Sequence, residues 1–175
     1  MCKAVFDAYK PKTVIDVGCA IGDYVKGFLD LGVDASGLEG AKDCLPYLMI
    51  PRERLLLWDL REALPLAKAG IWKADVALCL EVAEHIEEEY SENFFYNLAH
   101  LSDQVVMSFC PPGKGGGHYH VNEQESAYWI SGMARQGMVY RRGKAEEVRE
   151  GWAVVASKKA MRSYDQHLLC FKAGG

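Results

Sequence analysis

A doubly wound α/β sandwich is the fold this sequence predicts, on three observations. Short β-branched or apolar runs alternate with amphipathic ones from Thr13 to the end of the chain. One of them, "ADVALCL" (74–80), is apolar almost throughout, as a strand covered on both faces must be. Strands separated by helix-length segments form parallel sheets with right-handed crossovers. With 175 residues, no internal repeat and no linker, the chain reads as a single domain over 1–175.

The elements follow in order. "TVIDV" (13–17) is β-branched and predicts the first strand. Ile21, Tyr24, Val25, Phe28 and Leu29 then recur at helical spacing on one face, and Gly32 ends that helix. "VDASGLE" predicts a second strand, "AKDCLPYLM" a short helix broken by Pro46, and "RLLLW" a third strand. "ADVALCL" is the fourth. Phe94, Leu98 and Leu101 make one stripe of a helix over "SENFFYNLAHL", followed by a fifth strand in "QVVMSF". "CPPGKGGGHYHVN" reads as a long irregular loop. Asn122 with Glu125 three residues on predicts an N-cap and its reciprocal acid, opening a helix through Tyr128, Trp129 and Met133. "MVYRR" and "HLLCFKA" are the remaining strands, and "AEEVREGWAVVASKKAM" between them predicts a helix, with "WAVVA" open to a strand reading.

Composition excludes several classes. Half the residues are hydrophobic and a quarter charged, the balance of an ordinary globular chain. A net charge of −4 provides no bulk attraction to nucleic acid or anionic lipid, and the one basic stretch, "YRRGKAEEVRE", carries enough acids to read as a solvated helix face. Six cysteines lie scattered without zinc or CxxC spacing, several inside apolar runs, which predicts free thiols in a reducing cytoplasm. "MCKAVFDAYK" lacks the apolar core of a signal peptide, and no run approaches the roughly 20 residues of a membrane span.

The functional signal lies in "TVIDVGCAIGDYVKGFLDLGVDASGLEG" (13–40). Small residues at Gly18, Ala20 and Gly22 follow the first strand, where a turn without bulky side chains lets a ligand approach the backbone. Glu39 ends the second strand roughly twenty residues on, the place of an acid that holds ribose hydroxyls. Together they predict a nucleoside-containing ligand. A dinucleotide fingerprint requires a third glycine where Asp23 stands, and Asp16 would repel a pyrophosphate. An acid at position 16 suits a ligand carrying positive charge instead, which argues against a NAD-dependent oxidoreductase.

"VIDVGCAIGDY" resembles motif I of the class I S-adenosylmethionine-dependent methyltransferases, with Ala20 where that family most often has glycine. Glu39 resembles the family's ribose-binding acid, "WDL" (58–60) its adenine-binding stretch, and "ADVALCLEVAEHI" its fourth-strand motif, with Leu80 and Glu81 at the tip. The resemblance runs from about residue 12 to 110. It implies a Rossmann-like, seven-stranded sheet with helices on both faces and the last strand antiparallel. It also implies S-adenosylmethionine as cofactor, held by Asp16, Gly18, Cys19, Gly22, Glu39, Gly40, Asp59, Leu60, Leu80 and Glu81. Cys19 and Cys79 are equally readable as core or turn fillers, Trp58 as a packing residue, and Asp59 as the cap of a helix beginning near Glu62. Only about a dozen residues precede the first strand, where many relatives carry substrate-covering helices, so the lid is expected to be minimal or built from the glycine-rich loop.

Methyl transfer from a sulfonium is an in-line displacement governed by positioning. A base is needed only where the acceptor must lose a proton. His85 and His120 are the candidate catalytic residues, with His118 a further candidate and Glu84 able to orient or replace one. Glu81, Glu84 and His85, with His118 or His120, also match the metal-holding pattern of the methyltransferases that modify the 2′-hydroxyl of small-RNA ends. That pattern also occurs in small-molecule methyltransferases without metal, and no metal is assigned. The loop from Gly115 to Asn122 is expected to line the acceptor side. The expected function is therefore S-adenosylmethionine-dependent methyl transfer to a small-molecule or sugar-like acceptor. Metal-assisted RNA 2′-O-methylation and a non-catalytic S-adenosylmethionine-binding module are the alternatives.

Overall fold

Strand β1 (Thr13–Val17) lies inside a seven-stranded sheet, flanked on both sides, with all but its first residue buried. The sheet order is β3-β2-β1-β4-β5-β7-β6. It is built from β2 (Asp34–Glu39), β3 (Leu55–Leu57), β4 (Val76–Cys79), β5 (Gln104–Met107), β6 (Met138–Tyr140) and β7 (Leu169–Ala173). The first five strands pair in parallel, and β7 runs antiparallel to both β5 and β6, as the resemblance implied. The computed structural model describes residues 1–65, 72–113, 118–155 and 167–175. Part of the glycine-rich loop (114–117) and the end of the last expected helix (156–161) lie outside the described residues.

Alternation along the strands assigns each face its own core. Ile15, Val17, Ala77, Cys79, Val105, Met107 and Phe171 pack under helices α3 (Ser91–Leu101) and α4 (Ser126–Arg135). Val14, Ala35, Val76, Leu78, Val106 and Cys170 pack under α2 (Asp23–Asp30) and α5 (Arg142–Val155). On this second face lies a helix the sequence reading lacked, α1 (Cys2–Tyr9), whose Ala4 and Val5 are buried. It packs against α5 and α2 rather than over the carboxyl ends of the strands. The "WAVVA" stretch is helical through Val155, and the basic segment at its start forms Arg142–Glu146 and Lys144–Glu147 ion pairs on the surface. All six cysteines are free. No helix among the described residues is long and apolar enough to cross a membrane.

Reversal of strand order between β1 and β4 opens a crevice at the carboxyl ends of β1, β2 and β4, the place where open α/β sheets bind ligands. Helices α3 and α4 pack closely against each other on one face of the sheet. A Cβ on Gly132 of α4 would lie 2.1 Å from Phe95, a fully buried ring of α3. Gly132→Ala should therefore destabilise the protein, because overpacking costs about 1–3 kcal/mol while alanine's helix propensity returns only about 1 kcal/mol. A lower urea midpoint is expected; a higher one would show that the α3–α4 contact is loose.

Candidate functional site

The turn after β1 is laced to the end of β2. The amides of Gly18 and Cys19 both donate to the Leu38 carbonyl, at 2.8 and 3.1 Å. Glu39 completes the join, its carboxylate accepting from the amides of Ala20 at 2.8 Å and Ala41 at 2.7 Å. Gly18 and Gly22 have φ of 77° and 91°, which glycine adopts at no steric cost. Gly18 is also confined, since a Cβ there would lie 2.4 Å from Val82 Cγ2. Ala20 holds a left-handed φ of 48°, so the residue that departs from glycine keeps the glycine conformation. Cys19 turns inward, with its thiol against Gly37, and only its backbone faces the turn.

A cavity of about 300 Å³ opens beside this turn. It is lined by Gly18, Glu39, Gly40, Asp59, Leu60 and Glu81, together with Val82, His85 and Ile86. Six of the ten residues expected to hold the cofactor thus share one cavity. Asp16, Cys19, Gly22 and Leu80 lie beside or beneath it rather than on its wall. Among the described residues Asp59 caps no helix: its Oδ1 accepts from the Arg61 amide at 3.0 Å, and both oxygens take the Arg61 guanidinium, which holds the Asp59 carboxyl below its usual pKa. Trp58 packs on the core, and its indole N–H donates to the Glu62 carbonyl.

Two buried polar side chains that the sequence reading passed over position these groups. Asn97 of α3 receives the Leu64 amide at 2.7 Å and donates to the carbonyls of Leu60 and Glu62 at 3.2 and 2.9 Å. Ser108, just after β5, accepts from the Glu81 amide at 3.0 Å and donates to Glu81 Oε1 at 2.6 Å. These bonds hold Glu81 at a φ of 55°, a conformation that non-glycine residues seldom adopt. A lone Asn or Ser inside an apolar run was the available signal.

On the other wall, the segment after β4 docks against the end of the glycine-rich loop. Val121 and Asn122 donate their amides to the Glu84 carbonyl at 2.9 and 3.0 Å. Asn122 is not the N-cap its spacing suggested. Helix α4 begins at Ser126, and the buried Asn122 amide donates instead to the Ile86 carbonyl and to Ser91 Oγ. This bridge is available because Asn122 is enclosed between two loops whose carbonyls need donors. The result brings His85 and His120 into edge-to-face contact at 4.9 Å, with ligand atoms of Glu84, His85 and His120 all within 4.8 Å of one another. His118 is exposed and outside this group. His85 Nδ1 lies 3.1 Å from the Tyr119 carbonyl, and His120 Nδ1 lies 3.0 Å from Glu123 Oε1. Carbonyl and carboxylate oxygens only accept, so each Nδ1 carries a hydrogen and each Nε2 is left able to accept a proton.

Two buried carboxyls lack a side-chain partner among the described residues: Asp16 at Oδ2, and Glu84, whose carboxyl meets only the backbone of Glu84 and Cys110. Burial, reinforced by Glu39 and Asp23, pushes the Asp16 carboxyl up to about 8. Burial likewise raises Glu84 to about 7, with Glu81 adding to the rise. An unpaired ionised carboxylate in such a place is costly, so each awaits a proton or a cation.

No family model matches the sequence. Over 106 residues the chain is 31% identical to a small RNA 2′-O-methyltransferase of Xenopus tropicalis, a match covering 53% of this chain and 29% of that protein. The bacterial CtHen1-C methyltransferase domain superposes with a TM-score of 0.67 at 18% identity, over 98% of this chain and 94% of the other. Magnesium protoporphyrin IX methyltransferase from Synechocystis PCC 6803, solved with bound S-adenosylmethionine, superposes at 0.63 and 19%, over 98% and 74%. The protein has the class I methyltransferase fold. In that fold the crevice described here is the end of the sheet where β1, β2 and β4 finish, and the chain spans less than a third of its curated relative's length.

The two raised carboxyls set a pH dependence for this methyltransferase fold. Between about pH 4 and pH 8 the unfolded chain has released protons that the native protein still holds, so stability falls as pH rises through this window. The unliganded protein should melt at a higher temperature at about pH 5 than at about pH 8. Asp16→Asn should flatten that slope; an unchanged slope would mean Asp16 has a partner in solution.

Proposed function

We propose that the protein binds S-adenosylmethionine in the crevice and transfers its methyl group to a hydroxyl acceptor. The observation that carries this reading is the buried, unpaired Asp16 carboxyl beneath a cavity lined by Gly18, Glu39, Asp59 and Glu81. That set fits a nucleoside bearing positive charge. Asp16 would oppose the charge, and Glu39, whose oxygens each keep a lone pair after meeting Ala20 and Ala41, would take the ribose hydroxyls. Trp58 to Leu60 would flank the adenine, with Gly18 giving backbone access. When bound, the cofactor supplies an electrophilic methyl group whose C–S bond breaks as the bond to the acceptor oxygen forms. The chain's own part is to orient both reactants and to take the hydroxyl proton. His85 suits that task, because it lines the cavity and its Nε2 is left as acceptor by the bond from Nδ1 to Tyr119. His120 stands behind it, oriented by Glu123.

A small-molecule or sugar-like acceptor is the principal reading, resting on the acidic balance of the chain. One observation favours a second, metal-assisted methylation of an RNA 2′-hydroxyl. Glu84, His85 and His120 converge, with His85 on the cavity wall and no side-chain partner for the Glu84 carboxylate among the described residues, and a carboxylate with two imidazoles suits a first-row divalent ion. Assaying methyl transfer to small hydroxyl compounds and to RNA 3′ ends, with and without Mn²⁺, separates the two. Absence of S-adenosylhomocysteine with every acceptor would leave a binding module.

Calorimetric titration tests the cofactor directly. S-Adenosylmethionine and S-adenosylhomocysteine should both bind and NAD should not. Glu39→Ala should weaken both by roughly 10- to 100-fold, the loss expected for hydrogen bonds to a charged group. No binding of either sulfur compound to the wild-type protein would overturn the proposal.

A further inference from the structure

We propose that Cys110, His120 and Glu123 form a site for one thiophilic divalent ion of the Zn²⁺ class. Cys110 follows β5 at the start of the long loop, and His120 and Glu123 lie at its other end. Their ligand atoms already converge. His120 Nδ1 is 3.0 Å from Glu123 Oε1, the Cys110 thiol donates to the same oxygen at 3.9 Å, and all three lie within 4.8 Å of one another. Tetrahedral coordination at Zn–S of about 2.3 Å and Zn–N or Zn–O of about 2.0 Å sets ligand atoms roughly 3.3–3.6 Å apart. Closing on an ion therefore takes shifts of about an ångström or less.

The surroundings suit such an ion. The His120 and Glu123 side chains are only 14% and 21% exposed, so the ligands are largely desolvated before an ion arrives. Their chemistry is mixed in the way zinc prefers: one sulfur, one imidazole nitrogen and one carboxylate oxygen, with a fourth position left for water. Magnesium and calcium, which favour all-oxygen sets, would gain nothing from Cys110. Binding displaces the thiol proton to solvent and leaves a thiolate on the ion.

His120 belongs to this set and also to the group with Glu84 and His85. An ion held through Nδ1 leaves the ring hydrogen on Nε2, changing that atom from proton acceptor to donor. The two sets are thus alternative uses of one imidazole. The proposal rests on the ends of this loop and not on the methyl-transfer reading.

Co²⁺ titration of the cofactor-free protein, under reducing conditions without chelator, tests it. The wild-type protein should develop a thiolate-to-cobalt charge-transfer band in the near ultraviolet that saturates at one equivalent and is bleached by Zn²⁺. Cys110→Ser should abolish the band, and Glu123→Gln should weaken Co²⁺ binding by about tenfold or more. Glu84→Gln should leave the band in place. No thiolate band, a band that survives Cys110→Ser, or one lost in Glu84→Gln would each overturn the proposal. Calorimetry with S-adenosylhomocysteine on the same preparations reads cofactor binding separately; Cys110→Ser should retain it, since Cys110 lines no part of that cavity.

Discussion

Burying the Asp16 carboxyl at the end of β1 costs free energy that no hydrogen bond to its Oδ2 among the described residues returns. The position is forced by the sheet. β1 is flanked by β2 and β4, so side chains along it alternate between two fully covered faces, and residue 16 falls on the face packed by α2. A valine there would complete the core. The acid is tolerable only as a neutral carboxyl or beside a cation, and the crevice above is where a cation can arrive. That cost, together with the burial of Glu84, sets the pH behaviour of the unliganded protein.

Backbone strain gathers around the same crevice. Gly18, Ala20, Gly22, Glu81 and Tyr119 all have positive φ, and Gly18 and Glu81 line the cavity. Each non-glycine among them is held by hydrogen bonds at or beside the strained residue: Ala20 through Glu39, Glu81 through Ser108, and Tyr119 through its carbonyl on His85. Strain persists only where surrounding contacts over-determine it. At the turn after β1, Cys19 packs its thiol against Gly37.

The strands were legible because a two-sided buried strand leaves an unbroken apolar run, and the turn was legible because Gly18, Gly22 and Glu39 are separated by one helix and one strand. Other features were hidden for physical reasons. Helix α1 is only eight residues long; Cys2, Val5, Phe6 and Tyr9 do fall at helical spacing, but a segment this short is stable only through packing on α5, distant in sequence. Asn122 had the spacing of a cap, but burial between two loops decided its partners. Asn97 and Ser108 lie in otherwise apolar segments, and only the fold discloses that the groups they face are the backbone of residues 60–64 and the tip of β4. The segment at Glu84, His85 and His120 was readable as a set of residue types, whereas its geometry depends on Val121 and Asn122 docking on the Glu84 carbonyl.

That docking also bears on the proposed methyl transfer and on the kind of acceptor atom it would suit. Tyr119 and Glu123 orient His85 and His120 through Nδ1, and ligand atoms of the two rings and of the Glu84 carboxyl converge, with His85 on the cavity wall. Neither imidazole can satisfy the other or Glu84 without an additional proton or cation. An amine acceptor, already nucleophilic when neutral, makes no demand for such an array during the displacement itself. A hydroxyl does, because its oxygen becomes a competent nucleophile only as its proton leaves. Under the proposed methyl transfer, the array would either take that proton or hold a cation that stabilises the alkoxide, and both routes favour oxygen as the acceptor atom.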